Sequence, residues 1–244
     1  MFFWNDEKVR FMEDAAAWSG FHAALAALLA PHLPPEGHIC DAGCGTGHLS
    51  LALSRHVRRV TAVDMSGEAL SLLAGNCQKA DIRNITIRCG DIHALPPPSP
   101  YDAMVFCFFG HMEEILTLAR QQCRGAVLAI MRHEERHRFS AGQPAMRFGG
   151  YERGAEVLRE RGIPFQAQTL TLPMGQPFRT TDDARRFFEL YRRPEDDAPI
   201  TDTFLAGRLL PTGQDDFPWY LPSQRRFGLI RLDAGDIPDT ITTL

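Results

Sequence analysis

The sequence predicts an α/β fold, a doubly wound and mostly parallel sheet with helices on both faces and a small helical cap. Short apolar runs alternate with longer amphipathic stretches from residue 38 to residue 160, the pattern of buried parallel strands and their crossover helices. The first of these runs ends in a turn of three alternating glycines that opens directly into a helix. A length of 244 residues suits one large domain with a small appended cap.

Taken in order, residues 6–32 are helical in character, with apolar faces from Val9, Phe11, Met12, Ala16 and 21–29, stopped by Pro31, Pro34 and Pro35. Strands are expected at 38–42, 59–64, 85–90, 103–109 and 126–131, and helices at 48–56, 67–80, 112–122 and 152–160. After Gly162 the rhythm changes. Residues 165–172 alternate like a strand, 182–193 form an arginine-bearing helix, and a polar, proline-containing stretch precedes a last strand at 226–232. The tail after Asp233 shows no pattern. The resulting division is an N-terminal helical cap at 1–36, then a main domain at 37–244 carrying a cap insertion at about 173–224. Both cap parts are expected over the carboxyl edge of the sheet.

Composition narrows the function. Lys and Arg number 26 against 30 Asp and Glu, a net charge of -4, which argues against a nucleic-acid partner. Only Lys8 and Lys79 could form a Schiff base, and neither sits in a fitting motif. No apolar run reaches membrane-spanning length and the N-terminus lacks signal-peptide features, so no membrane partner is expected. Cys40, Cys44, Cys77, Cys89, Cys107 and Cys123 are scattered without a Cys-x-x-Cys pair, which fits reduced thiols in a cytoplasmic protein, monomeric or homodimeric.

The chemistry concentrates in three strand ends. Ile39-Cys40-Asp41-Ala42-Gly43-Cys44-Gly45-Thr46-Gly47-His48 joins a strand to a helix whose first N–H groups are unsatisfied. The next strand ends in Asp64, a position from which a carboxylate accepts hydrogen bonds from ribose hydroxyls. The third ends in Cys89-Gly90-Asp91-Ile92. Asp41, Asp64 and Asp91 therefore lie along one edge.

This pattern resembles the class I S-adenosylmethionine (AdoMet)-dependent methyltransferases, in their small-molecule, type 11-like branch, over residues 37–132. The resemblance implies a seven-stranded sheet whose last strand is antiparallel. It implies that Asp41, Gly43, Gly45 and Gly47 hold the methionine part of AdoMet and that Asp64 takes the ribose hydroxyls. Met65 would pack on adenine, Asp91 would reach its amino group, and Ile92 would add a backbone N–H and an apolar contact. Cys107 and Phe108, at the end of the fourth strand, would lie beside the transferred methyl. A nicotinamide dehydrogenase is the competing reading, but its fingerprint is G-x-G-x-x-G, and His48 stands where its third glycine falls.

Methyl transfer by in-line displacement needs alignment and exclusion of water, and a base only where the acceptor must lose a proton. His111 is the candidate base, with a helix-opening role as the plainer alternative. Glu113 and Glu114 suit the helix dipole. The end of the fourth strand, Cys107-Phe108-Phe109-Gly110, lacks the Asn/Asp-Pro-Pro-Tyr/Phe signature of adenine- and amide-modifying relatives and the carboxylate of metal-dependent ones, so no metal is expected. His133-Glu134-Glu135-Arg136-His137 matches the zinc-protease string H-E-x-x-H, but its highly charged setting after the fifth strand reads as a solvated loop.

Acceptor contacts are expected from Trp4, Trp18, Phe21, Arg147, Tyr151 and Trp219, with His22, Phe148 and Arg179 as further candidates. The arginines of 182–193 either face an anionic acceptor or are simply solvated. The expected substrate is a small molecule, with oxygen ahead of nitrogen or carbon as the acceptor atom. An RNA or protein methyltransferase and a non-catalytic AdoMet-binding relative are the alternatives.

Overall fold

A computed structural model describes residues 6–133, 150–192 and 198–239. The first half runs α1 (Asp6–Ser19), α2 (Phe21–Leu29), β1 (His38–Ala42), α3 (His48–Leu53), β2 (Arg59–Asp64), α4 (Gly67–Lys79) and β3 (Ile85–Cys89). Then follow β4 (Tyr101–Cys107), α5 (Met112–Gln122), β5 (Cys123–Arg132), α6 (Gly150–Glu160) and β6 (Gln166–Pro173). The chain continues through β7 (Gln176–Phe178), α7 (Thr181–Leu190), α8 (Asp202–Ala206), β8 (Leu210–Pro211), β9 (Trp219–Leu221) and β10 (Gln224–Asp233).

The main sheet has seven strands in the order β3-β2-β1-β4-β5-β10-β6. Strands β1 to β5 pair in parallel, and β10 runs antiparallel against β5. The order reverses between β1 and β4, which opens a crevice outside the carboxyl ends of those strands, where open α/β sheets bind ligands. The central strands are apolar on both faces because both faces are covered: Ile39, Ala103, Met104, Val105, Phe106, Val127 and Leu128 are fully buried. Helix α5 closes one face with Ile115, Leu116, Leu118 and Ala119.

The chain divides into two compact units. The larger holds the main sheet and, among described residues, spans 22–133, 150–170 and 226–239. The smaller holds α1, α7, α8 and a three-stranded sheet in the order β7-β9-β8. Its core is Phe11, Phe178, Phe187, Phe188, Leu205, Leu209 and Leu221, with rings meeting edge-on, as at Phe11 and Phe187 (centroids 5.0 Å apart).

Three local expectations change. The N-terminal helical run breaks at Gly20, whose φ of +60° ends α1 and lets α2 start in a new direction. The polar stretch before the last strand contains the short strands β8 and β9, too brief to show a period of two. The tail after Asp233 is not patternless. Asp233 caps a 3-10 turn at Ala234–Asp236, and Ala234 and Ile237 pack into the main core. Two apolar residues three apart are too few to register as a periodic signal.

Candidate active site

The glycine loop follows β1. Gly43, Gly45 and Gly47 all take positive φ, +67°, +55° and +76°. Two of them also make room for neighbours. A Cβ on Gly43 would stand 2.3 Å from the ring of Phe109, and one on Gly47 would stand 2.4 Å from Leu73. The loop is pinned by Cys44 N–H donating to Val63 O (3.0 Å) and Gly47 N–H donating to Cys44 O (3.0 Å).

Asp41 lies beneath this loop, 1% exposed. The Ser50 hydroxyl of α3 donates to its Oδ2 at 2.5 Å, while its Oδ1 meets no donor among the described residues. Burial pushes its carboxyl up to about 7, and the nearby Asp64 charge acts in the same direction. The same burial raises the Cys44 thiol. Asp64 is half-buried at the end of β2, where Gly45 N–H donates to one oxygen and Ser66 N–H to the other, each at 2.8 Å. Its carboxylate is thus fixed in orientation, with a second lone pair on each oxygen still to use. Met65 beside it is 60% exposed. Asp91 is exposed and caps a 3-10 turn at Ile92–Ala94, accepting His93 N–H at 3.0 Å on Oδ1. Ile92 turns its side chain into the core. An orphaned buried carboxyl oxygen and two oriented carboxylates along one edge fit a ligand bearing an ammonium group, a diol and an exocyclic amine.

The end of β4 is bent. Cys107 is half-buried, and Phe108 adopts φ +56°, a left-handed conformation costing a non-glycine residue about 1–2 kcal/mol. The Phe108 N–H donates to Ile130 O (2.8 Å), its ring meets Phe227 edge-on, and the bend lays Phe109 over Gly43. Gly110 completes the turn at φ +77°. His111 is exposed and stands at the N-cap of α5, yet its side chain makes no capping bond. Glu114 contacts His93 at 3.2 Å.

The predicted acceptor residues that the structure describes fall in both units. Trp4, Arg147 and Phe148 lie outside the described residues. Trp18 meets Phe217 edge-on and Tyr220 at a tilt within the smaller unit, and Trp219 is half-buried in β9. Phe21 is 1% exposed and serves as packing. Tyr151 belongs to the larger unit, where its ring fills the space beside Gly228 and approaches His133 (5.2 Å). His22 stacks on His48, the first residue of α3, with centroids 5.2 Å apart. Arg179 pairs with Asp14, Arg186 with Glu7 and Arg185 with Asp202, ion pairs within the smaller unit in which Arg179 and Arg186 stay about half exposed. His133 pairs with Glu152 at 2.5 Å, and the rest of the H-E-x-x-H string lies outside the described residues. Among the described residues no group of three or more His, Cys, Asp and Glu could hold a metal ion, and no helix is long and apolar enough to cross a membrane. Sequence reasoning missed Ser50 and the seat of Phe109 on Gly43, since neither belongs to a spaced motif.

Residues 39–129 match the family described as a methyltransferase domain. A protein of Methanococcus maripaludis, described as a probable cobalt-precorrin-6B C(15)-methyltransferase (decarboxylating), is 25% identical over 91 residues, covering 37% of this chain and 50% of that protein. The ubiquinone biosynthesis O-methyltransferase of Coxiella burnetii is 40% identical over 70 residues, covering 29% of this chain and 30% of the relative. The chain thus spans at most about half the length of these curated relatives. The crystal structure of the YcgJ protein from Bacillus subtilis shares the fold at 14% identity and a TM-score of 0.52, covering 86% of this chain and 98% of that one. Residues 39–129 are thus similar to a methyltransferase domain, and the glycine loop with Asp41, Asp64 and Asp91 lies within that segment.

Proposed function

We propose that this chain transfers a methyl group from AdoMet to a small-molecule acceptor, with oxygen the preferred acceptor atom. The observation that carries the reading is the series of strand-end carboxylates, Asp41 with an orphaned buried oxygen and Asp64 and Asp91 oriented by backbone N–H groups. AdoMet, when bound, supplies a methyl already activated by its sulfonium charge.

The chain's residues have these roles. Asp41, Gly43, Gly45 and Gly47 hold the methionine part, and the orphaned Asp41 oxygen suits its ammonium group. Asp64 accepts the ribose hydroxyls, Met65 covers adenine, and Asp91 with the Ile92 N–H reads the adenine edge. Cys107 and Phe108 wall the methyl end, where Phe109 on Gly43 excludes water. His111, exposed and not engaged in capping, takes the proton from an acceptor hydroxyl. Trp18, Tyr151 and Trp219 are the described candidates for acceptor contacts. Both relatives named above carry small-molecule activities in their names, one on carbon and one on oxygen, which supports the acceptor class.

A thermal-shift titration with AdoMet, S-adenosylhomocysteine and NAD, run beside Asp64→Ala, tests the cofactor. Stabilisation by the two adenosyl compounds, absent in the variant, is expected. Silence from both at millimolar concentration overturns the reading, and a response to NAD alone replaces it with a dehydrogenase. With a catechol or phenol acceptor, His111→Ala should lower kcat more than tenfold. Binding without transfer to any acceptor would mark a non-catalytic relative.

A further inference from the structure

We propose that Gln122 is a positioning residue for the adenine end of the cofactor site, acting through Ile92; the inference rests on the cofactor reading above. Gln122 is the last residue of α5 and is 2% exposed. Its Nε2 donates to the carbonyl of Ile92, 30 residues away in sequence, at 3.0 Å. Burying a long amide costs desolvation and side-chain entropy. The arrangement is not the best one for stability alone, because Gln122 Oε1 meets no donor among the described residues. An apolar side chain of the same length would fill the space without that orphan.

What the bond does instead is hold a turn. Ile92 opens the 3-10 turn after β3, with Asp91 as its cap. Helix α5 grips this turn twice, from the buried side through Gln122 and from the exposed side through the Glu114 contact to His93. The buried bond sets the plane of the peptide after Ile92, and with the Ile92 side chain anchored in the core it fixes the directions of the Ile92 N–H and the Asp91 carboxylate. Those two groups distinguish an amino from an oxo substituent on the purine. Because α5 also begins at the bend after β4, one helix spans both ends of the site.

The test is calorimetric binding of S-adenosylhomocysteine and of S-inosylhomocysteine, whose purine carries oxygen in place of the amino group, to the full chain and to Gln122→Met. The variant should melt near wild type. Its affinity for the adenosyl compound should fall about tenfold, equivalent to about 1.4 kcal/mol, with little change for the inosyl compound, so the preference between them shrinks. Unchanged affinities, or equal losses for both ligands, overturn the positioning role. Wild-type protein that binds neither compound overturns the cofactor reading itself, a separate outcome. Should Gln122→Met fail to fold, Gln122→Asn, one methylene too short to reach Ile92, is judged by the same ratio.

Discussion

The two edges of the main sheet use carboxylates in opposite ways. At the amino edge, Asp102 accepts the His38 N–H at 2.7 Å on one oxygen and the Arg124 guanidinium on the other, with Nε at 2.9 Å and Nη2 at 2.5 Å. These donors hold its carboxyl below the usual range, the backbone N–H contributing most. At the carboxyl edge no arginine or lysine contacts Asp41, Asp64 or Asp91 among the described residues, and Asp41 is pushed up to about 7. A carboxylate whose lone pairs are met by a cation and a backbone amide is a structural cross-link. One that is oriented but unspent is available to a ligand, and the fold tolerates its cost.

Substitutions at each edge can break or sharpen this contrast. The largest effect is expected from Gly43→Ala, which combines a left-handed φ with a Cβ driven into Phe109. It should cost about 2–4 kcal/mol by chemical denaturation and weaken AdoMet binding. Asp64→Ala comes next. Ligand at 100 times its dissociation constant stabilises a protein by about 2.7 kcal/mol, and the variant should lose that increment in thermal melts.

Asp41→Asn tests whether the carboxyl edge is destabilised by its own acid. An aspartate whose folded pKa is raised favours folding below its unfolded value near 4 and opposes it as pH climbs toward 7. The variant should therefore match wild type near pH 4 and exceed its stability by about 1–3 kcal/mol above pH 7, while binding AdoMet less tightly. Equal pH–stability curves for the two proteins would refute an unspent charge at that position. At the amino edge the sign reverses. Asp102 has a lowered folded pKa, so its contribution is present above its unfolded value and is lost as pH falls through the folded one. Asp102→Asn should cost about 1–2 kcal/mol at pH 7 and less near pH 2, with AdoMet affinity unaltered. Weaker cofactor binding in this variant would show that the edges are not independent.

Much of the carboxyl edge was legible in the sequence. Strands β1 and β2 and helix α5 begin and end where apolar runs and their terminal residues indicate. Asp41, Asp64 and Asp91 were visible because each closes such a run, and the glycines because a turn needing positive φ admits little else. The amino edge was not legible. Asp102 lies inside an apolar strand and gains its role only when β1 and β5 bring His38 and Arg124 beside it. The smaller unit was illegible for a related reason: β7, β8 and β9 have two or three residues each, and Arg186 of α7 finds its partner Glu7 only 179 positions away in sequence.

The chain's own order of residues was sufficient for the sheet class, the strand ends and the glycine turn. These depend on neighbours a few positions apart, through backbone conformation and hydrophobic period. Which carboxylate is spent and which is open, why Gly43 must lack a Cβ, and how Gln122 reaches Ile92 were settled by packing alone. Each depends on a single contact between distant segments, and a contact made once has no period to leave in the sequence.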